Sequence, residues 1–195
     1  THQEALENIK QGYLAGADAS GEFLDMLREY PAQLREVGLN ADQAVGFMTQ
    51  TVQKGIFSDK GIDAIKEANI RIREMTDATA KAIDNIGLSS EEIQQQLVSG
   101  EKSMFEVIQM VSDQLDKLPP QSQQVGTAIA DIFGGPGEDA GAEFLTTIGD
   151  INLELEDMVD NTDSLTQSQS LQIQATEELN SAYQKILGKQ SGLNK

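Results

Sequence analysis

Between Leu118 and Leu145 the chain reads LPPQSQQVGTAIADIFGGPGEDAGAEFL, and few folds accept that run. Proline clashes with a preceding helical turn but fits a helix start, so Leu118-Pro119-Pro120 stops one helix and opens another. Val125, Ile129 and Ile132, with Ala128 beside them, line one face at helical spacing. Phe133-Gly134-Gly135-Pro136-Gly137 then predicts an abrupt corner, because glycine supplies a left-handed cap and proline blocks continuation. Glu138 and Asp139 fall in the first turn of the next helix, where negative charge suits the dipole. Phe144, Leu145 and Ile148 form its buried side. A helix–corner–helix unit of this kind cannot bury its faces alone, so the remaining chain has to supply a core.

Residues 2–17 read as a helix, with Leu6, Ile9, Tyr13 and Leu14 on one face and Ala17 at its end. Asp18 or Ser20 can cap a second helix whose core positions are Phe23, Leu24, Met26, Leu27 and Tyr30. Pro31 restarts or kinks it, Leu34 and Val37 bury next, and Gly38 closes the element. From Asp59 to Ile86 the residues Ile65, Ala68, Ile72, Met75, Thr79, Ala82 and Ile86 step by three and four. That spacing predicts one long helix with a narrow, coiled-coil-like seam of small residues. Arg71, Arg73, Glu67 and Glu74 are its solvated face.

One pattern occurs twice. Val37-Gly38-Leu39-Asn40-Ala41-Asp42-Gln43 matches Ile86-Gly87-Leu88-Ser89-Ser90-Glu91-Glu92: apolar-Gly-Leu, a capping residue, then a polar first turn. Asn40 with Gln43 and Ser89 with Glu92 fit the capping box, which satisfies amides left unpaired at a helix start. The first copy continues through Ala44, Val45, Phe47, Met48 and Val52 to Gly55; the second through Ile93, Leu97 and Val98 to Gly100. Ser103 and Glu106 form a further capping box before the stripe Met104, Val107, Ile108, Val111, Leu115 and Leu118. The pattern predicts a duplicated helix-pair unit, each pair burying what neither can bury alone.

Beyond Gly141 a seam runs through Ile148, Ile151, Leu155, Met158, Thr162, Leu165, Gln169, Gln172, Thr176, Leu179, Tyr183 and Ile186. Its middle is polar. Wholly helical, Gly141 to Leu187 would reach about 70 Å at 1.5 Å per residue, too long for one globule of this size. The expected fold is therefore all-α: a compact head of short helix pairs, with a long C-terminal coiled-coil-like helix able to pair with the N-terminal one. The expected boundaries are residues 1–19 for the N-terminal helix, 20–147 for the head, 148–187 for the long helix and 188–195 for a disordered tail. Self-association through Ile151, Leu155, Met158, Leu165, Leu179, Tyr183 and Ile186 is one possible use of the seam.

The chain's 195 residues suffice for a sizeable core. Aromatics make up 5% and tryptophan is absent, so that core is predicted to be aliphatic, alanine and methionine. With 14 basic and 32 acidic residues the net charge is −18. Nucleic-acid affinity comes largely from Lys and Arg, so a phosphate-tracking groove is not expected, nor binding to an anionic membrane surface. No apolar run is long enough to span a bilayer. The chain opens at Thr1 on a helical pattern already under way, as an excised fragment would.

No enzyme is predicted. Cysteine is absent, and the single histidine, His2, stands at a terminus, so a nucleophile–base set is wanting. Gly134–Gly137 lacks the Gly-Lys-Ser/Thr ending of a phosphate loop and is followed by Glu138-Asp139, which would repel phosphate. Glu154-Glu156-Asp157 and Asp160-Asp163 lack the EF-hand spacing and read as a solvated helix face. No catalytic, cofactor-binding or metal-binding residue is assigned, and no cofactor.

The order of these motifs resembles one family. SSEEIQQQL followed by LPPQSQQVGTAIADIFGGPGEDAG is similar to the helical region of phage tail tape-measure proteins. That region pairs a Gly-Leu-Ser-x-Glu-Glu helix with an Ala-Ile-x-x-Ile-Phe-Gly helix and a glycine-rich corner, matched here at Gly87–Glu92 and Ala128–Gly134. The resemblance extends upstream through KGIFSDKGIDAIKEANIRIREMTDATAKAIDNIGL and covers Gly21 to Gly149. It implies a phage or prophage structural protein that fills the tail tube, sets tail length and is released at DNA ejection. It implies as partners the tail tube protein, tail assembly chaperones and tail-tip proteins. It implies a place in the virion, or in the host cytoplasm during assembly. The residues alone leave a second reading open: a soluble helical scaffold that binds a partner through its seam.

Overall fold

A computed structural model describes residues 2–18, 21–53, 58–151 and 153, with side chains from Ala5 onward except those of 53, 58 and 59. Its elements are α1 His2–Leu14, α2 Phe23–Glu29, α3 Pro31–Glu36, α4 Ala41–Gln53, α5 Ser58–Glu74, α6 Asp77–Asn85 and α7 Ser90–Ser99. There follow α8 Met104–Asp116, α9 Gln123–Ala128, a π-helical turn Ile129–Phe133, α10 Gly134–Ala140 and α11 Ala142–Leu145. No strand occurs among the described residues, so the class is all-α. Of the helix expected over 148–187, only 148–151 and 153 are described, and they form turns and irregular chain, not helix; its seam from Leu155 on and the 188–195 tail lie outside the described residues.

Two helices form the middle of the head. Along α4, every residue from Ala44 to Thr49, then Thr51 and Val52, is buried. A helix buried on all sides must be apolar or internally satisfied. Here the hydroxyls of Thr49 and Thr51 each donate to the carbonyl four residues back, Val45 and Phe47, at 2.8 Å. α5 buries Ile62, Ala64, Ile65, Ala68 and Ile72. It meets α3 and α4, α8, and the π turn with α10.

The core is mostly aliphatic, alanine and methionine, as composition implied, with five phenylalanines set among them. Phe23, Phe47, Phe105 and Phe133 are fully buried and Phe144 nearly so. Phe47 of α4 and Phe105 of α8 meet edge to face at 5.7 Å, and Tyr13 of α1 meets Phe23 of α2 the same way at 5.2 Å. Such pairs contribute roughly 0.5–1.5 kcal/mol beyond the area they bury. α1 lies against α4 because Gly12 has no side chain: a Cβ there would come within 2.5 Å of Phe23 Cζ and 2.8 Å of Val45 Cγ1. Asn8 adds a side-chain bond to Asp42 in the first turn of α4.

The two Gly-Leu corners have the same closure. Gly38 and Gly87 take φ of 100° and 91°. Leu39 N–H reaches the Leu34 carbonyl at 3.1 Å, and Leu88 N–H reaches Ile83 at 3.3 Å. Their caps differ. Asn40 and Gln43 bond reciprocally, at 2.9 and 3.0 Å. In the second copy Ser89 accepts from Glu92 N–H at 3.2 Å, while Ser90 N–H turns to the Asp84 carboxylate. The helices after the corners differ more: α4 is interior, whereas α7 buries Ile93 and exposes Val98 at 90%.

Two expectations fail locally. The 59–86 helix is broken: α5 ends at Glu74, Met75 turns left-handed at φ 44°, and Thr76 starts α6. The Thr76 hydroxyl accepts from Thr79 N–H at 3.3 Å, and the Thr79 hydroxyl donates to the Asp131 carbonyl of the π turn at 3.1 Å. A cap and a tertiary bond thus override the helical periodicity. The glycine corner is also shorter than predicted. The chain turns at Gly134 alone (φ 60°), and Gly135-Pro136-Gly137 already belong to α10. Glu138 and Asp139 consequently stand in its second turn.

Asn69 of α5 is 4% exposed and its carbonyl oxygen has no hydrogen-bond partner. Replacing an orphaned buried polar group by an apolar one of similar volume removes a desolvation penalty of about 1–3 kcal/mol. Asn69→Leu is expected to raise the urea midpoint of unfolding; an unchanged or lower midpoint would show the oxygen to be satisfied. At the start of α8, Ser103 N–H donates to the Glu106 carboxylate at 2.7 Å and Glu106 N–H to Ser103 Oγ at 3.2 Å. The Ser103 amide first, and the Ser103 hydroxyl second, hold the Glu106 carboxyl below its ordinary range. A lowered folded pKa adds stability above the unfolded value, about 4.3, which fades as pH falls through the folded value. Glu106→Ala is therefore expected to lower stability at pH 7 only slightly, by about 0.5 kcal/mol, because solvent screens the exposed carboxylate. The difference from the parent should shrink on acidification, read by denaturant melts at stepped pH.

Candidate functional site

The residues after Gly134 tie the head together. α10 runs antiparallel to α5: Gly134 sits beside Arg71 and Glu67, and Asp139 meets Lys60 at 3.3 Å near the other end. A Cβ on Gly134 would lie 2.9–3.0 Å from the Arg71 guanidinium and the Glu67 stem. Arg71 Nε itself bonds Glu67 at 2.7 Å, one turn away on α5. This pair, about a third exposed, lies over the corner, so two of the four side chains assigned to a solvated face cover Gly134, while Arg73 and Glu74 are exposed as expected. Lacking a side chain, Gly134 can both turn the chain and pass beneath them. Gly137 faces Phe133 and Leu145 closely enough that no side chain would fit.

α11 then brings Phe144 against Gly61 of α5, whose Cβ position is 3.0 Å from the ring and 2.8 Å from Thr51 of α4. From Ile148 the chain reaches α8. Ser112, fully buried, accepts from Gly149 N–H at 2.9 Å. Gln109 Nε2 lies 3.3–3.4 Å from the carbonyls of Ile148, Gly149 and Ile151. Gly149 approaches the Asp113 carboxylate with no room for a Cβ. Ile148 and Ile151 are buried on either side. Three side chains within about one turn of α8 therefore seat a length of turned backbone, in which Asp150 and Ile151 N–H bond the carbonyls of Thr147 and Ile148. The seat joins α4, α5, α8 and the outgoing chain.

The sequence placed Ile151 on a seam facing another chain, but Ile151 is 4% exposed and belongs to the core of the head. Leu155, Met158, Leu165, Leu179, Tyr183 and Ile186 lie outside the described residues, as do the acidic clusters at 154–163 and the side chain of His2. Gln109 and Ser112 went unremarked in the sequence because they interrupt an apolar stripe without breaking it. The signal available was their spacing beside Asp113, which puts three polar groups on one side of α8.

The chemistry this arrangement offers is that of holding backbone. Among the described residues the buried polar side chains are Thr49, Thr51, Asn69, Thr79 and Ser112, none of them ionisable. Among the described residues no group of three or more His, Cys, Asp or Glu could hold a metal ion. Among those same residues no helix is long and apolar enough to cross a membrane.

Ser112→Ala leaves the Gly149 amide without its acceptor, at a cost of about 1 kcal/mol. Hydrogen exchange at Gly149 is expected to quicken roughly fivefold, while exchange in α4 and α5 stays slow. Equal acceleration throughout would mean that the seat and the core open as one.

A profile of the family described as phage-related minor tail protein matches residues 2–134, from α1 through the π turn to the Gly134 corner. No curated protein and no solved structure matches the chain.

Proposed function

Because the chain belongs to the phage-related minor tail protein family, we propose that it is part of a tail tape-measure protein. In this reading it occupies the tail tube, sets the tube's length by its own chain length and leaves ahead of the DNA at ejection. The family gives the coarser part, a structural role in the phage tail as a component of the virion. The observation that carries the finer part is the architecture itself: the described chain is built from helices joined by short corners, with no strand among them. A helix converts residue number into length at a fixed rise of about 1.5 Å, which is what a ruler requires.

Two further features support it. A net charge of −18 keeps such a body from adhering to DNA that must follow it through the same tube. Among the described residues the buried polar groups are hydroxyls and one amide, which in this reading serve packing. The partners in this reading are the tail tube protein that surrounds it, the assembly chaperones that hold it in the host cytoplasm, and the tail-tip proteins at one end.

The test is a length series in the phage that encodes the chain. In-frame removal of residues 58–86 is expected to shorten tails by about 44 Å in electron micrographs if that stretch is helical in the tail. Duplicating it is expected to lengthen them equally. Tails of unchanged length, normally assembled, would assign the chain to a scaffold role instead.

A further inference from the structure

The break between α5 and α6 is unusual in its residues. No glycine or proline lies between Arg71 and Ala82. Met75 is the one non-glycine residue at positive φ among those described. A left-handed unbranched side chain is strained, since its Cβ crowds the following carbonyl. Meanwhile Ile65, Ala68, Ile72, Met75, Thr79, Ala82 and Ile86 continue one apolar line straight through the break. The local sequence is therefore consistent with a continuous helix, and the bend is imposed from outside it.

We propose that the α5–α6 joint is a two-state hinge, bent in the folded head and straight, as one continuous helix over 58–86, when the bend's few ties are released. The ties are identifiable. Thr76 Oγ1 caps α6 through Thr79 N–H at 3.3 Å, and Thr79 Oγ1 reaches Asp131 O at 3.1 Å. Ala82, Ile83 and Ile86 hold α6 to the head, where it meets α9 and the π turn. Ala80 N–H already bonds Thr76 O, and Met75 N–H bonds Arg71 O, so regular bonding resumes on both sides. Straightening returns Met75 to right-handed geometry. It gives the amides of Thr76, Asp77 and Ala78 the carbonyls of Ile72, Arg73 and Glu74, and moves Thr79 N–H from a hydroxyl to the Met75 carbonyl. It gives up the burial of α6, which is why the bend holds in the intact head. The conclusion stands on this joint's geometry and would survive failure of the tail reading.

The chain has no cysteine, so Lys66→Cys and Asp84→Cys, both on exposed positions, accept a spin-label pair without background. A straight helix sets their separation at about 27 Å. In the full chain the bent, shorter distance is expected to dominate. Thr76→Ala, at an exposed position, removes the cap together with the 3.0 Å bond between the Thr76 and Thr79 hydroxyls, and should raise the proportion near 27 Å about fivefold. Thr76→Ala with Thr79→Ala should raise it further, with helical circular dichroism undiminished. Adding Met75→Gly should reverse the effect, because glycine takes the left-handed geometry freely and disfavours the continuous helix about fivefold. The proposal is overturned if the short distance persists unchanged in both threonine variants. It is overturned equally if longer distances appear only as a broad spread with loss of helicity, which is melting rather than straightening.

Discussion

Burial of α5 from opposite sides is the constraint on which the head depends. Its apolar positions Ile62, Ile65, Ala68 and Ile72 are covered by the early helices α3 and α4, by α8, and by the π turn and α10. None of these covering elements exceeds 13 residues. Isolated helices of that length are marginal in water, so their stability comes from docking. Hydrophobic burial at about 25 cal/mol per Å² makes each docking favourable, and the small residues at Gly61, Ala64 and Ala68 let the partners come close. The head is cooperative for this reason: detach one cover and its own helix loses the surface that kept it folded.

Short helices multiply ends, and every end leaves backbone groups without intrahelical partners. The chain meets this cost in three ways. Side-chain caps serve the starts of α4, α6, α7, α8 and α9, through Asn40, Thr76, Ser89, Ser103 and Ser122. Left-handed glycines close α3, α6 and α7. Elsewhere one helix's end serves another's: Phe105 N–H, in the first turn of α8, donates to the carbonyl of Val37 at the end of α3 at 2.9 Å. A Cβ on Gly38 would press within 2.8 Å of Ser103, so this junction needs glycine both for its φ and for its closeness.

Local signals in the sequence were faithful where one residue decides the outcome. Ser103 with Glu106 predicted a capping box that is present in full, and Pro31 begins α3 as its fixed φ favours. The α8 stripe is buried as its spacing required. What sequence pattern misjudged was set from a distance. The break at Met75 depends on Asp131, far along the chain, and on the covering of α6. One miss was local: the Ser122 cap, rather than the prolines before it, opens α9. The seat on α8 was unreadable because Gln109 and Ser112 acquire their role only when Gly149 arrives. Family resemblance could be read from motif order, since caps and corners at fixed offsets carry more information than any single position.

The bond between Phe105 and Val37 has a further meaning when the chain is still being made. About 70 residues separate its two ends, and at roughly 5–20 residues per second a ribosome needs several seconds to supply the second. Throughout that interval α4, with Val45, Phe47, Met48 and Val52 all to be buried, has emerged without the Phe105 ring that covers Phe47. The nascent N-terminal half is thus a sticky, half-clothed intermediate whose safety depends on timing. Slowing translation between the two positions would lengthen that exposure without altering a single atom of the finished molecule.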